Sequence, residues 1–461
     1  MASCVRLTAL TLENFKNVIH GKLTFPELEN GGSVLGLYGQ NGSGKSALIR
    51  ALAGLKTLLV GRALEKSLAE CIRIDAEKAH ITYDFCLANE DEKTLLSYEV
   101  FLQSPPAGLV NATASVLAGE KLSVALKGKD GKARKTLLID TTTDDLPFGP
   151  QSRFKEFVRP DKSRRMALSV ARELTREKGT SFLFSPTLKE ALTDCLGSNP
   201  KKNGALCKVL GVLERLVTYG KTEFFVSDAT GTGLTLHTDG IGENTPATLS
   251  GGLLLLPLTG PVKVAVEKLP ALEKLVAQMN LVLKEMIPGL AIVAKRVSTA
   301  LGPKGEAVAV LELSSLKSRE PIPLRYESEG IKKIISVLNL LICVYNEASV
   351  TVAIDELDSG VFEYLLGELL RIISQRGMGQ LIFTSHNLRA LETMDRACVA
   401  FTTADPKDAY VHIKASQAAM NLRDLYYRML ILGSSGTTPL YNPTSSARIA
   451  LALREAGGRH D

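Results

Sequence analysis

One octapeptide constrains the fold of this chain more than any other stretch. Gly39-Gln40-Asn41-Gly42-Ser43-Gly44-Lys45-Ser46 matches the pattern G-x-x-x-x-G-K-[ST]. The apolar run from Ser33 to Tyr38 precedes it and reads as a buried strand, and Ala47 to Leu52 follows and reads as a helix. This strand–loop–helix order places the chain in the α/β class. Glycines let the backbone wrap closely around phosphates, and the N–H groups at the helix N-terminus point inward. Gly39, Asn41, Gly42, Ser43 and Gly44 would form the cradle. Lys45 would reach the β- and γ-phosphates of a nucleotide, and Ser46 would ligate Mg²⁺.

A second motif supplies the carboxylates that such a loop needs. Thr351-Val352-Ala353-Ile354-Asp355-Glu356-Leu357-Asp358-Ser359-Gly360 is an apolar strand ending in an acidic pair. The strand end sets Asp355 beside the loop to bind Mg²⁺ or its water, and Glu356 to polarise an attacking water. Phosphoryl transfer depends on positioning and charge neutralisation, which this pair provides. Asp358 would lie at the subunit interface of a nucleotide-sandwich dimer. Thr384-Ser385-His386-Asn387 ends the next apolar strand, and His386 could contact the γ-phosphate.

At 461 residues the chain can bury a large core in two lobes or domains. Alternating patterns predict strands over Leu7–Asn17, Ala79–Leu87 and Leu95–Leu102, with a hairpin around residues 127–132. From about 147 the pattern turns helical. Leu206, Val209, Leu210, Leu213, Leu216 and Val217 share one helix face, as do Leu272, Val276, Met279 and Met286. Neither stripe is long enough for an extended coiled coil. Strand–helix alternation returns from residue 307, with a helix predicted over Glu329–Tyr345 and strands over Val350–Ile354 and Leu381–Thr384. The expected division is 1–146 for the N-terminal half of a nucleotide-binding head, 147–300 for a compact, mainly helical insertion, and 301–461 for the C-terminal half.

The net charge of +6 permits nucleic-acid contact without arguing for it. Arg153, Lys155, Arg159, Lys162, Arg164 and Arg165 form one basic cluster, and Lys127, Lys129, Lys132, Arg134 and Lys135 another. Either could hold a phosphate backbone, or be a solvated surface. Seven scattered cysteines without C-x-x-C suggest neither disulfides nor zinc, so a reducing cytoplasm is the expected location. The apolar runs are too short to span a bilayer, and no membrane association is expected.

Taken together, Gly39 to Ser46, Asp355-Glu356 and His386 resemble the ABC-type ATPase head of SMC, RecF and OLD-family proteins. Glu13-Asn14-Phe15-Lys16-Asn17 is similar to the strand end that opens RecF- and OLD-like heads. Asp355 to Gly360 resembles their joined Walker B motif and D-loop. The resemblance spans roughly residues 1–145 and 300–430. It implies an ABC-type P-loop fold with a mixed sheet and an antiparallel β subdomain, ATP and Mg²⁺ as ligands, slow regulatory ATP hydrolysis, and dimerisation through ATP. A signature loop is then expected to offer a serine hydroxyl and helix N–H groups to the partner's γ-phosphate. Two segments compete. Leu249-Ser250-Gly251-Gly252 is closer to the transporter sequence but runs towards Pro257, which would interrupt a helix. Ser328-Glu329-Gly330 opens a strongly amphipathic helix shortly before Asp355, and Ser328 and Gly330 are preferred. Gln151 or Gln103 would be the Q-loop residue.

Few residues follow His386, too few for the attached TOPRIM nuclease of OLD-family proteins. Asn421 to Tyr427 looks like the terminal helix of OLD-like heads. The layout is similar to the ATPase subunits of bacterial anti-phage systems of the PARIS type. That likeness implies a homo-oligomer, a separate effector such as a TOPRIM nuclease, and a phage-encoded trigger. The alternative is a RecF- or SMC-like ATPase that binds DNA in repair or chromosome maintenance. A transporter subunit is disfavoured by the long separation of Lys45 from Asp355.

Overall fold

A computed structural model describes residues 4–88, 93–103, 117–127, 133–143, 145–158, 161–197, 204–227, 233–237, 248–249, 253–302, 305, 307–317, 320–412, 421–432, 440 and 445–456. Strands β1 (Cys4–Phe15) and β2 (Val18–Thr24) form an antiparallel hairpin, and β3 (Ser33–Tyr38) runs into the glycine loop and helix α1 (Lys45–Leu59). Strands β4 (Lys78–Ala88), β5 (Lys93–Gln103), β6 (Leu117–Lys127) and β7 (Ala133–Asp140) extend the hairpin into a six-stranded antiparallel sheet of order β2-β1-β4-β5-β6-β7. Burial alternates along β4, as a period of two requires when one face is packed. The packed face meets α1, where the buried Tyr83 hydroxyl donates to the Ala51 carbonyl at 2.7 Å.

Helices α2 (Gln151–Phe157), α3 (Lys162–Lys178), α4 (Pro186–Leu196) and α5 (Gly204–Thr218) follow. They share one hydrophobic core with α1 and the antiparallel sheet, through Phe157, Leu188, Leu213 and Leu216 among others. Strand β8 (Phe224–Ser227) then leaves the helices and becomes the edge of the P-loop sheet, parallel to a strand far along the chain. β9 (Gly233–His237), β10 (Thr248–Leu249) and β11 (Leu253–Pro257) form a small sheet. β12 (Val262–Ala265), α6 (Leu269–Met286), β13 (Ala291–Leu301), β14 (Ala307–Leu316) and β15 (Pro321–Pro323) build another sheet with one helix on it. The stretch 147–300 therefore contains strands as well as helices, and part of it belongs to the P-loop sheet. Three apolar residues and a serine carry no readable period, which is why β8 is not legible beforehand. Of the glycine-rich turns, 228–232 and 240–244 lie outside the described residues.

The remaining elements are α7 (Glu329–Asn346), β16 (Thr351–Ile354), α8 (Glu363–Arg376), β17 (Gln380–Thr384), α9 (Ala390–Thr393), β18 (Val399–Thr402), β19 (Tyr410–His412), α10 (Leu422–Leu432) and α11 (Ser446–Ala456). The second six-stranded sheet has the order β19-β18-β3-β17-β16-β8, and every pairing except β18–β19 is parallel. Leu35, Leu37, Ala353 and Ile382 face the core that holds α1. Val34, Val352, Ile354, Leu381 and Phe383 face the core that holds α7 and α8. Burial on both faces accounts for the near-continuous apolar strands. The expected α/β architecture, with a mixed P-loop sheet beside an antiparallel β subdomain, is present.

Gln380 locks the two large sheets together. Its side chain accepts from the Leu7 N–H (3.1 Å) and donates to the Leu7 carbonyl (2.9 Å), while lying 3.2 Å from Ser33 Oγ. Thr351 Oγ1 donates to it at 3.3 Å. A buried amide satisfied on all sides fixes one register, because any slip would leave its polar atoms unpaired.

Candidate functional site

The P-loop closes around its own lysine. Gly39, Gly42 and Gly44 have φ of 152°, 77° and 108°. Gly39 has a second reason to be glycine: a Cβ there would sit 1.7 Å from Thr402 Oγ1. Lys45 Nζ donates to the carbonyls of Gly39 (2.8 Å) and Gln40 (2.9 Å). Ser43 Oγ donates to the Gln40 carbonyl at 2.7 Å and also meets Thr402 Oγ1. Three outer braces hold the loop. Asn17 Nδ2 donates to the Gly42 carbonyl at 2.5 Å, the Tyr410 hydroxyl donates to the Gly44 carbonyl at 3.0 Å, and Thr402 comes from β18. The bracing roles of Thr402 and Tyr410 cannot be read from sequence, because both lie far beyond the motif.

Asp355 and Glu356 sit at the C-terminal end of β16, separated from β3 by β17. Thr384, the last residue of β17, organises both. Its hydroxyl donates to Asp355 Oδ1 at 2.5 Å and accepts from the Glu356 N–H at 2.8 Å. Glu356 adopts φ of +46°, a left-handed conformation costly for a non-glycine residue. The two carbonyl–amide bonds around it, Asp355 N–H to Ser227 (2.9 Å) and Leu357 N–H to Thr384 (3.1 Å), hold that turn in place. Lys333 Nζ reaches the Asp355 carbonyl at 3.2 Å. Burial pulls the Lys45 ammonium below its ordinary value, and the charges of Asp355, Glu356 and Asp358 oppose that pull. The structure thus brings Lys45 and the three carboxylates into one electrostatic environment.

Asp358 Oδ2 accepts from the His386 N–H at 2.9 Å, while Oδ1 is buried without a hydrogen-bond partner. The His386 side chain is exposed and lines an open cleft of about 680 Å³ with Asp358, Tyr364 and Arg389. Ser328 caps α7, with its Oγ accepting from the Ile331 N–H at 3.4 Å. Gly330 lies against Gly360, whose carbonyl oxygen would be 1.9 Å from a Cβ at position 330. Ser328, Gly330 and Gly360 line a second cleft, and Phe362 and Tyr364 line both clefts. The segments carrying Ser328, Asp358 and His386 therefore share one exposed surface.

The other candidates fall elsewhere. Leu249 pairs with Leu253 across a hairpin, so this segment does not open a helix as Ser328 does; residues 250–252 lie outside the described residues. Gln151 opens α2 with an exposed side chain, and Gln103 ends β5 opposite Lys78, also exposed. Among the described residues, neither hydrogen-bonds to the P-loop. In the basic clusters, Arg153 pairs with Glu156 (2.5 Å), Arg164 with Asp194 (3.0 Å) and Lys135 with Glu99 (2.8 Å). Arg165 donates to the Asp145 carbonyl at 2.9 Å. Arg159, Lys129 and Lys132 lie outside the described residues.

Among the described residues, no group of three or more His, Cys, Asp or Glu side chains could hold a metal alone. Ser46 in the first turn of α1 and Asp355 are hard oxygen donors of the kind Mg²⁺ takes when phosphates complete its shell. No helix among the described residues is long and apolar enough to cross a membrane.

No family model and no curated protein sequence matches the chain. Solved structures give low-identity likenesses over most of its length. The Smc head domain of Pyrococcus furiosus, with an extended coiled coil and bound to the C-terminal domain of ScpA, is 12% identical, covers 92% of this chain and 100% of its own, and has a TM-score of 0.43. The SMC head domain from Thermotoga maritima is 14% identical, with coverage of 89% and 99% and a TM-score of 0.36. The recombination mediator protein RecF with ATP is 16% identical, with coverage of 83% and 94% and a TM-score of 0.35.

Proposed function

We propose that this chain is an ABC-type ATPase that binds and hydrolyses ATP and dimerises around it. One observation carries the reading: Thr384 ties Asp355 and Glu356 into a fixed pair at the ends of β16 and β17, in the same sheet as β3, the strand that leads into the loop of Lys45. In this reading the backbone N–H groups of residues 39–46 bind the phosphates. Lys45 leaves the Gly39 and Gln40 carbonyls for the β- and γ-phosphates. Ser46 and Asp355 would hold Mg²⁺, which would supply charge neutralisation on the phosphate oxygens. Glu356 accepts a hydrogen bond from the attacking water. The water oxygen bonds to the γ-phosphorus as the bond to the ADP oxygen breaks, and the water's proton passes to Glu356 or a phosphate oxygen, giving ADP and phosphate. His386 senses the γ-phosphate. Ser328, Gly330 and Asp358 act on the partner's nucleotide, a role supported by their common exposed surface.

We further propose that the output is nucleotide-controlled assembly with a separate effector protein, a nuclease in anti-phage defence. The competing DNA-clamp reading loses support where Arg153, Arg164 and Arg165 are already engaged within the chain. Glu356→Gln tests both levels. The variant is expected to bind ATP, form a dimer that the wild type does not retain, and turn over at least ~100-fold more slowly. Wild-type turnover would remove the ATPase assignment. Material copurifying with the trapped form then separates the outputs: a stoichiometric protein supports the effector, and nuclease-sensitive DNA alone refutes it.

A further inference from the structure

Ser328 is exposed, and the bond that makes it the cap of α7 is long, at 3.4 Å from the Ile331 N–H. A contact of that length holds a hydroxyl loosely. The neighbouring residue is held tightly. The Glu327 side chain turns back from the loop and is only 6% exposed. Its Oε1 accepts from Ser315 Oγ at 2.6 Å, and its Oε2 accepts from Lys317 Nζ at 2.6 Å. Ser315 is fully buried near the end of β14, where it pairs with Ile322 of β15, and its Oγ also lies 3.3 Å from the Ile322 carbonyl. Earlier in the same loop Arg325 donates to Glu312 of β14 at 2.6 Å. The segment before Ser328 is therefore fastened to β14 at successive points, and Glu327 is the last of them.

A carboxylate taken out of water is costly unless donors meet its oxygens. Burial pushes the Glu327 carboxyl up, but Lys317 and Ser315, with the Ser328 N–H after them, outweigh it and hold the group below its ordinary range. Further along α7, Ile334, Ile335 and Leu338 share a core with Ile292, Leu311 and Leu313 of β13 and β14. Apolar packing is non-directional, so it seats the helix on the sheet without fixing its first turn. Directed bonds fix that turn. Gly330 abuts the Gly360 carbonyl on one side, and Glu327 grips β14 on the other. We propose that Glu327 is a positioning residue for hydrolysis: gripped by Ser315 and Lys317, it aims the Ser328 hydroxyl at the nucleotide of the second chain, and so acts on the partner's site and not on its own. This role rests on the reading that ATP is hydrolysed between two chains. It ties the rate of that step to the lobe built by β12–β15 and α6.

Glu327→Gln in the full chain keeps the acceptor for Ser315 and turns an amide towards Lys317. It is expected to cut kcat at least ~10-fold while KM for ATP changes less than about 2-fold, because the P-loop is untouched. Lys317→Met removes the same grip from a side chain that is 43% exposed, and is expected to give the same split with a smaller loss. Circular dichroism checks each fold, and Lys317→Met takes the place of Glu327→Gln should the latter unfold. The decisive readout is mixing. Glu327→Gln and Glu356→Gln chains, combined before ATP is added, are expected to turn over about 5-fold faster than the average of the two alone. In the mixed dimer both defects fall in one site and leave the other intact. A residue that served only its own chain would leave no intact site and give no recovery. Wild-type turnover of Glu327→Gln and Lys317→Met, a loss confined to KM, or no recovery on mixing would each overturn the proposal while the wild-type chain still hydrolyses ATP. A wild-type chain without ATPase activity would instead remove the ATPase reading, and this role with it.

Discussion

Replacing Thr384 by valine probes the centre of the candidate site with almost no change in shape. Thr384 is fully buried, and valine fills the same volume without the hydroxyl. Two interactions disappear. The first is a hydrogen bond to the Asp355 carboxylate, of the charge-assisted kind that contributes about 1.5–3 kcal/mol. The second is the acceptor for the Glu356 N–H; leaving that donor unsatisfied costs about 1–3 kcal/mol. The losses share one atom and are not additive, so the expected destabilisation is about 3 kcal/mol. Thr384→Ser keeps both bonds and loses one methyl, at a cost of about 1 kcal/mol. Urea unfolding of the three proteins at one pH, followed by fluorescence of the tyrosines, measures the difference. ATP turnover supplies the second readout. Asp355 without its hydroxyl partner can rotate, and Glu356 loses what holds its left-handed backbone. Each 1.4 kcal/mol of lost positioning is about tenfold in rate, so turnover should fall at least that far in the valine variant and remain near normal in the serine variant. A valine variant as stable and as active as the serine variant would refute the reasoning, because it would show that the bridge organises nothing.

Three further expectations follow from other parts of the molecule. Gly330→Ala should leave nucleotide affinity near wild type, because the P-loop is untouched, yet cut turnover at least ~10-fold by forcing α7 away from the Gly360 carbonyl; equilibrium binding beside a steady-state assay separates the two. Lys45→Ala should abolish measurable nucleotide binding while the fold survives, which calorimetry and circular dichroism would register. The third concerns the outer face of the antiparallel sheet, where His80 bridges Glu13 and Glu99 at 3.3 Å each. Burial lowers the His80 affinity for a proton, but hydrogen bonds and charge from Glu99 and Glu13 outweigh it and leave the net shift upward. Glu99 is held down to about 2, chiefly by its His80 hydrogen bond and also by Lys135. The raised histidine stabilises the fold fully below its unfolded value of about 6.5 and loses that contribution as pH rises through its folded value. The lowered glutamate contributes above its unfolded value of about 4.3 and loses it as pH falls towards its folded value. His80→Gln should therefore cost most between about pH 4.3 and 6.5 and least on the alkaline side, a difference readable from unfolding midpoints across pH. A deficit that does not vary with pH would dismiss the ion pairs as a source of stability.

Much of the candidate site was legible because its chemistry lies in short contiguous motifs. Gly39 to Ser46 and Asp355 to Gly360 each specify a local backbone, and the apolar strands before them show which ends of the sheet they occupy. The Ser328 cap was legible for the same reason, since a serine before an amphipathic run is a local signal. Thr384, Thr402, Tyr410 and Gln380 were not. Each is an ordinary strand residue in the sequence, and its role exists only because a distant segment arrives beside it.

The sequence by itself determined the P-loop, the acidic strand end, the α/β class and the antiparallel region, because hydrophobic period and glycine placement act over a few neighbouring residues. Tertiary structure alone decided that β8 joins the P-loop sheet, that Thr384 binds Asp355 and Glu356 together, and that Gln380 ties the two large sheets in one register. The physical reason is the same in each case. Burial and hydrogen-bond satisfaction are settled between segments that the chain separates by tens or hundreds of residues, and a four-residue strand or a single strand-end threonine carries no local mark of the partner it will meet.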